Sequence, residues 1–340
     1  MATSEQDKVN SREFWAQAAI TYSYIILWIV LSAVVIMVNK YVLTFAGFPF
    51  PIALTLTHMA FCATLAFLII KAGFVETVHM DSTTYLRNVV PIAALFSGTL
   101  WLGNAAYLYL SVAFIQMLKA TMPVTVFLVG VLLGTEKYSA LYALNMVVVA
   151  VGVAAASYGE LNFNLVGVIF QSGSIVTESF RLCLIQLLLQ ARGIKLNPVT
   201  TLYYIAPACF AFLCFPFLFI ELPKMVHSED GWRLPSGLLL LSAVSAFALN
   251  MSVFLLIGRS SALTMNIAGV IKDWLLIALS VILYGSPVGG LQLGGYGIAF
   301  LGVCWYNYQK LQGARQQTAT RQTPGDMESK PLLQTGTPRR

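Results

Sequence analysis

Apolar runs of about 20 residues follow one another almost without a break from Thr21 to Tyr308. A helix of that length crosses roughly 30 Å of hydrocarbon, and within lipid only helices or closed barrels satisfy their backbone polar groups. Ten runs can be drawn, at 20–43, 51–71, 86–110, 112–133, 139–158, 164–189, 199–221, 236–257, 261–284 and 289–309. The connections between them leave no room for a large soluble domain. The expected fold is therefore an all-α polytopic membrane protein of ten transmembrane helices. Charged residues make up only 10% of the chain, against about 25% in soluble domains.

The ends read differently. The leader MATSEQDKVNSREFW carries Glu5, Asp7 and Glu13, unlike an acid-poor organelle transit peptide. The plastid envelope is accordingly disfavoured, and the Golgi or another endomembrane is expected. The first run is too long and too late to be a cleaved signal. After Lys310 the chain is rich in Gln, Thr, Pro and Arg, a composition of disordered tails. Within it ESKPLL fits an acidic dileucine pattern, making Glu328, Leu332 and Leu333 candidates for a vesicle adaptor. The expected division is a leader over 1–19, two membrane units over 20–158 and 159–310, and a disordered tail over 311–340. Cys62, Cys183, Cys209, Cys214 and Cys304 all fall within apolar runs in no metal or redox spacing, so packing is their expected role.

Placing the amino terminus in the cytosol puts fourteen basic residues on that side and only Lys224 and Arg233 on the other. The positive-inside rule then predicts that both termini are cytosolic. Of the twenty Lys and Arg, four remain inside the runs, Lys40, Lys119, Arg181 and Lys272, with Glu178 and Asp273 as the acids counted there. A charge at the centre of a membrane helix costs about 2.5–3.5 kcal/mol on insertion scales, and such residues face cavities and mark substrate paths. A surplus of positive charge predicts an anionic cargo.

Lys119 and Lys272 are the leading candidates, as compact cations with three donors each that can clamp a phosphate. Pro123, four residues after Lys119, is expected to kink its helix. Lys40, beside Asn39 near the end of its run, is equally a lysine that snorkels to the interface. Arg181 and Glu178, three residues apart, are equally an intrahelical pair. Asn104, Asn250 and Tyr204 join the candidates as groups able to bond sugar hydroxyls or stack a base. Adjacent helical residues point about 100° apart, so Asp273 is expected to pair with Arg181 or Lys40 rather than Lys272. His58 has no ligand-spaced partner and reads as a packing group. No metal cluster, Walker-type loop or nucleophile elbow is present in the sequence.

The two halves echo each other at an offset of about 150 residues: VAVGVAAASY (149–158) aligns with AFLGVCWYNY (299–308), pairing Gly152 with Gly302. Asn104 pairs with Asn250 in a looser match. Because each unit has five runs, an odd number, the second must enter the membrane from the opposite side. That is an inverted repeat, the architecture of transporters with a midplane site. Gly130 with Gly134 and Gly290 with Gly294 have the spacing of close helix contacts.

Several segments then carry a family resemblance over residues 20–310: NKYVL in the first run, LGN and SVAFIQMLKATMPV in the third and fourth, LGTEK after them, LNPVTTLYYIAP entering the seventh and IKDW in the ninth. The chain resembles the triose-phosphate and nucleotide-sugar translocators of the drug/metabolite transporter superfamily. That resemblance implies two inverted five-helix repeats and strict exchange of phosphorylated or nucleotide-linked metabolites. It assigns Lys119 and Lys272 to the family's lysines in the fourth and ninth spans. Plastid sugar-phosphate carriers have arginine after the second lysine and several plant nucleotide-sugar carriers have threonine; Asp273 here resembles a plant subgroup of probable sugar phosphate/phosphate translocators.

The resulting expectation is a non-enzymatic antiporter, monomeric or homodimeric, without cofactor, metal or nucleic-acid partner. Its cargo is a phosphate-bearing sugar metabolite, a nucleotide sugar exchanged for nucleoside monophosphate. Exchange of a sugar phosphate, phosphoenolpyruvate-like compounds included, for phosphate is the alternative. An exporter of neutral small metabolites and a membrane-embedded transferase are the readings from other classes.

Overall fold

In the computed structural model of the protein the apolar runs are helices, and the structure describes residues 2–75, 80–192, 198–228, 231–257 and 262–321. In chain order the helical rods are α1 (Ala2–Thr44), α2 (Pro51–Lys71), α3 (Ser82–Ala106), α4 (Val112–Leu132), α5 (Ala140–Tyr158), α6 (Leu165–Arg192), α7 (Pro198–Val226), α8 (Ser236–Ile257), α9 (Ala262–Tyr284) and α10 (Gly290–Arg321). No strand occurs among the described residues. Eight rods, α1 to α8, are long and apolar enough over the described residues to cross a membrane. The other two carry the Lys272–Asp273 pair and a glycine-rich face.

Both ends are more helical than expected. The first rod begins at Ala2, within the leader, and the last continues to Arg321, because GARQQTATR is dominated by Ala, Arg and Gln, good helix formers. The tail beyond, with Glu328, Leu332 and Leu333, lies outside the described residues.

Packing is symmetric under exchange of each helix with the one five places later. Helix α5 runs along α10, α4 contacts α9 and α2 runs along α7. Helix α3 packs on α6 as α8 packs on α1, α3 touches α7 as α8 touches α2, and α4 touches α6 as α9 touches α1. The tightest seam is α5 with α10. A Cβ on Gly152 would sit 2.4 Å from the Ala299 nitrogen, and one on Gly295 would sit 2.4 Å from that of Ala156. Gly159 and Gly302 are similarly blocked, at 2.7 Å from the Gln292 nitrogen and from a Val149 methyl. Glycine here lets two backbones touch. The pair singled out by spacing, Gly290 and Gly294, has nothing within 4 Å of either Cβ position. Gly134 instead follows α4 with φ +72°, the left-handed conformation that ends helices.

The α1–α2 end of the bundle is sealed. Phe48 and Phe50 each meet the Trp232 ring edge-on at 5.9 Å, and the Arg233 N–H donates to the Gly47 carbonyl at 3.1 Å. Glu221, set on a π turn over Phe217–Glu221, accepts from the N–H groups of Ile52 and Ala53 at 2.8 and 2.7 Å. Those are orphan donors at the α2 N-terminus, and a carboxylate there also complements the helix dipole. Only 4% of Glu221 is exposed; it is a buried acid that the count of charges within the runs left out. At the opposite end, Lys310 and Glu136 pair at 2.7 Å.

Candidate functional site

Helix α4 is broken in its middle. Its first piece, Val112–Lys119, starts at Ser111, whose hydroxyl accepts from the Phe114 N–H at 3.1 Å. Its second piece, Met122–Leu132, has Pro123 in its first turn, where the missing N–H disturbs no helical bond. Proline therefore breaks the helix rather than merely bending it. Lys119 stands in the last turn of the first piece, and Met122 opens the second. A helix C-terminus favours a cation and a helix N-terminus favours an anion, so the break gathers both preferences at one depth.

Lys119 and Met122 line a cavity of about 510 Å³ between α1, α2, α3, α4, α6, α8 and α9. The cavity brings together five of the eight expected binding residues, Lys119, Lys272, Asp273, Asn104 and Asn250. Lys119 makes no hydrogen bond or ion pair with the described residues, and it feels the charges of Lys272, Asp273 and Glu178. Lys272 pairs with Asp273 at 3.4 Å and sits 5.2 Å from the Trp28 ring. The expectation that neighbours on a helix could not meet is thus wrong: their Cβ atoms diverge, but the four-carbon lysine stem curls back across the gap.

Three expected site residues lie elsewhere. Lys40 is buried and donates to the carbonyls of Tyr107 and Leu110 at 2.6 and 3.1 Å. It caps the chain where α3 gives way to α4, a use of lysine common at helix C-termini. Arg181 binds Glu178 through two nitrogens and lies 4.6 Å over the Phe96 ring. Only Glu178 of that pair lines the cavity. Tyr204 lines a separate pocket with Tyr85 and Tyr203.

The cavity floor toward the sealed end is a hydrogen-bonded chain. His58 Nε2 meets the Ser242 hydroxyl at 2.9 Å, and that hydroxyl donates to Asn39 Oδ1 at 2.5 Å. The Asn39 amide donates to Asn104 Oδ1 at 3.2 Å, and the Asn104 amide to Thr55 at 3.0 Å. This chain ties α1, α2, α3 and α8 together. On the opposing wall, Gln171, Ser174, Ile175 and Glu178 of α6 face the cavity. Gln171 is one of the polar cavity residues, with Ser174 and Thr99, that sequence reasoning passed over. Its signal was a polar stripe at i, i+3 and i+7 on a helix otherwise rich in apolar residues.

Comparison with known proteins bears on this cavity. A profile of the triose-phosphate transporter family matches residues 20–307. A "probable sugar phosphate/phosphate translocator" of Arabidopsis thaliana is 51% identical over 320 residues, covering 93% of this chain and 91% of the relative. Another protein of that description from the same plant is 44% identical over 332 residues, covering 96% and 97%. UDP-uronic acid transporter 1 of Arabidopsis thaliana is 30% identical over 295 residues, covering 84% and 94%.

Proposed function

The chain belongs to the triose-phosphate transporter family, and on that premise we propose that it is a secondary antiporter exchanging a nucleotide sugar for a nucleoside monophosphate across an endomembrane such as the Golgi. The observation that carries the reading is the ammonium of Lys119 at the α4 break, with no hydrogen bond or ion pair to the described residues, within one cavity with Lys272. In a low-dielectric cavity such charge attracts a phosphoryl group far more strongly than in water. The N-terminus of a discontinuous membrane helix, here at Met122, adds to that attraction.

The cavity has room for a nucleotide sugar: about 510 Å³ lies in the range of roughly 300–1,000 Å³ that encloses ligands of drug size. Exchange of a sugar phosphate for phosphate is the second reading, favoured by the relatives at 44% and 51% identity, both described as probable sugar phosphate/phosphate translocators. The symmetric helix packing supports two inverted five-helix repeats meeting about residues 158 and 159 and ten crossings, and the excess of basic residues on one side supports both termini in the cytosol. Transport would follow from rocking the repeats about the cavity.

The test is counterflow in liposomes holding the purified protein. Labelled nucleotide sugar should enter only when a nucleoside monophosphate is trapped inside. Entry of sugar phosphate against phosphate, with no uptake of any nucleotide sugar, would establish the second reading. Uptake into vesicles empty of counter-substrate would rule out exchange.

A further inference from the structure

Gln171 stands on α6 with 1% of its surface exposed, and its side chain lines the central cavity. Neither its amide nitrogen nor its carbonyl oxygen has a partner among the described residues. The neighbouring polar groups are already engaged: the Ser174 hydroxyl donates to the Thr99 carbonyl at 2.9 Å, and the Thr99 hydroxyl to Thr177 at 2.9 Å. A buried donor and acceptor left unpaired destabilise the protein, and each such group calls for an explanation. A ligand that supplies both partners removes the penalty.

The chemistry of that ligand is constrained. A carboxamide presents one donor and one acceptor side by side in a single plane. A fully ionised phosphoryl group only accepts, so it leaves the carbonyl oxygen of Gln171 unpaired. A nucleobase edge carries adjacent coplanar donors and acceptors, and glutamine pairs with such edges through two hydrogen bonds. Resting on the antiporter reading above, we propose that Gln171 is a specificity residue that reads the base of a nucleotide cargo, while Lys119 and Lys272 hold its phosphates. A sugar diol could also offer a donor and an acceptor, and the probes below separate the two.

The experiment measures binding of uridine, cytidine, adenosine and guanosine monophosphates, ribose 5-phosphate and inorganic phosphate to the purified full chain, wild type and Gln171→Leu. Ribose 5-phosphate is the same sugar and charge without a base. At least one nucleotide should bind wild type more tightly than ribose 5-phosphate. Gln171→Leu should weaken that nucleotide on the order of tenfold and leave ribose 5-phosphate unchanged. The unliganded variant should melt no lower than wild type, because it loses two unsatisfied groups; Gln171→Met supplies a second, more flexible apolar replacement if leucine fits poorly.

Unchanged nucleotide binding in a folded variant would overturn the inference. So would equal losses for nucleotide and ribose 5-phosphate, which would assign Gln171 to the sugar, or a lowered melting point in both variants, which would make it structural. If wild type binds ribose 5-phosphate and nucleotides equally, base reading fails while the phosphorylated-cargo reading stands. If it binds no phosphate compound, the antiporter reading itself fails.

Discussion

Lys119 and Lys272 share one cavity but not one state: Lys272 has Asp273 at 3.4 Å, and Lys119 has no such counter-ion among the described residues. A phosphate arriving at Lys119 therefore meets a free cation, whereas at Lys272 it must displace a carboxylate. Lys119→Gln should lower counterflow by roughly 10- to 100-fold, the usual worth of a hydrogen bond to a charged group. Asp273→Asn should act oppositely on affinity, lowering the half-saturating cargo concentration several-fold while slowing turnover, because tighter ground-state binding does not speed release. A set of uptake curves for the two variants checks both; an unchanged half-saturation in Asp273→Asn would mean that the pair does not compete with cargo. The lysines were legible because charge inside an apolar run is expensive. Lys40 looked the same in sequence, and what distinguishes it, the Tyr107 and Leu110 carbonyls, lies 67 and 70 residues away. Gln171 gave a weaker signal because an amide is far less costly to bury than a charge.

Among the elements, the α5–α10 seam is the most exacting. Gly295→Leu must push a side chain into the Ala156 backbone, since even its Cβ would lie 2.4 Å from that nitrogen. We expect loss of monodisperse protein or a fall of several degrees in melting temperature, whereas Gly294→Ala, with nothing within 4 Å, should be neutral or stabilising by about 0.5–1 kcal/mol. The repeat alignment brought Gly152 and Gly302 forward correctly, but which neighbouring glycine faces the seam depends on helix rotation, which spacing alone does not fix. The same seam ends at Glu160, a buried carboxyl just past α5 that accepts from the Gln292 amide. Burial pushes its pKa up, partly offset by hydrogen bonds from Asn162 and Gln292. A raised folded pKa means that stability is fully present below the unfolded value, about 4.3, and is lost as pH rises through the folded one. Melting temperature should therefore fall over that window on going to neutral pH, and Glu160→Gln should remove this part of the dependence; an identical pH profile in the variant would show that Glu160 does not contribute.

At the scale of the whole molecule, the proposed division into two five-helix units carries a kinematic consequence. The sealed end joins the units across their boundary: Gly47 belongs to the first and Arg233 to the second, with the Arg233 N–H donating to the Gly47 carbonyl at 3.1 Å. If transport rocks the units about the cavity, this contact must open once in every cycle. A Cβ built on Gly47 would lie 3.9 Å from the Arg233 Cβ, inside the roughly 3.5–4.5 Å that a disulfide requires. Gly47 has φ +75°, so a cysteine there carries some backbone strain, though on a connecting loop rather than within a helix. In Gly47→Cys/Arg233→Cys, made with the exposed Cys304 replaced, oxidation should abolish counterflow and a reductant should restore it. Cargo binding should survive oxidation, because the cavity lies between the helices and the bond only fixes one end. Full counterflow in the oxidised protein, with the disulfide confirmed by mass, would mean that the Phe48–Phe50–Trp232 seal stays shut throughout and that the cargo leaves by another route.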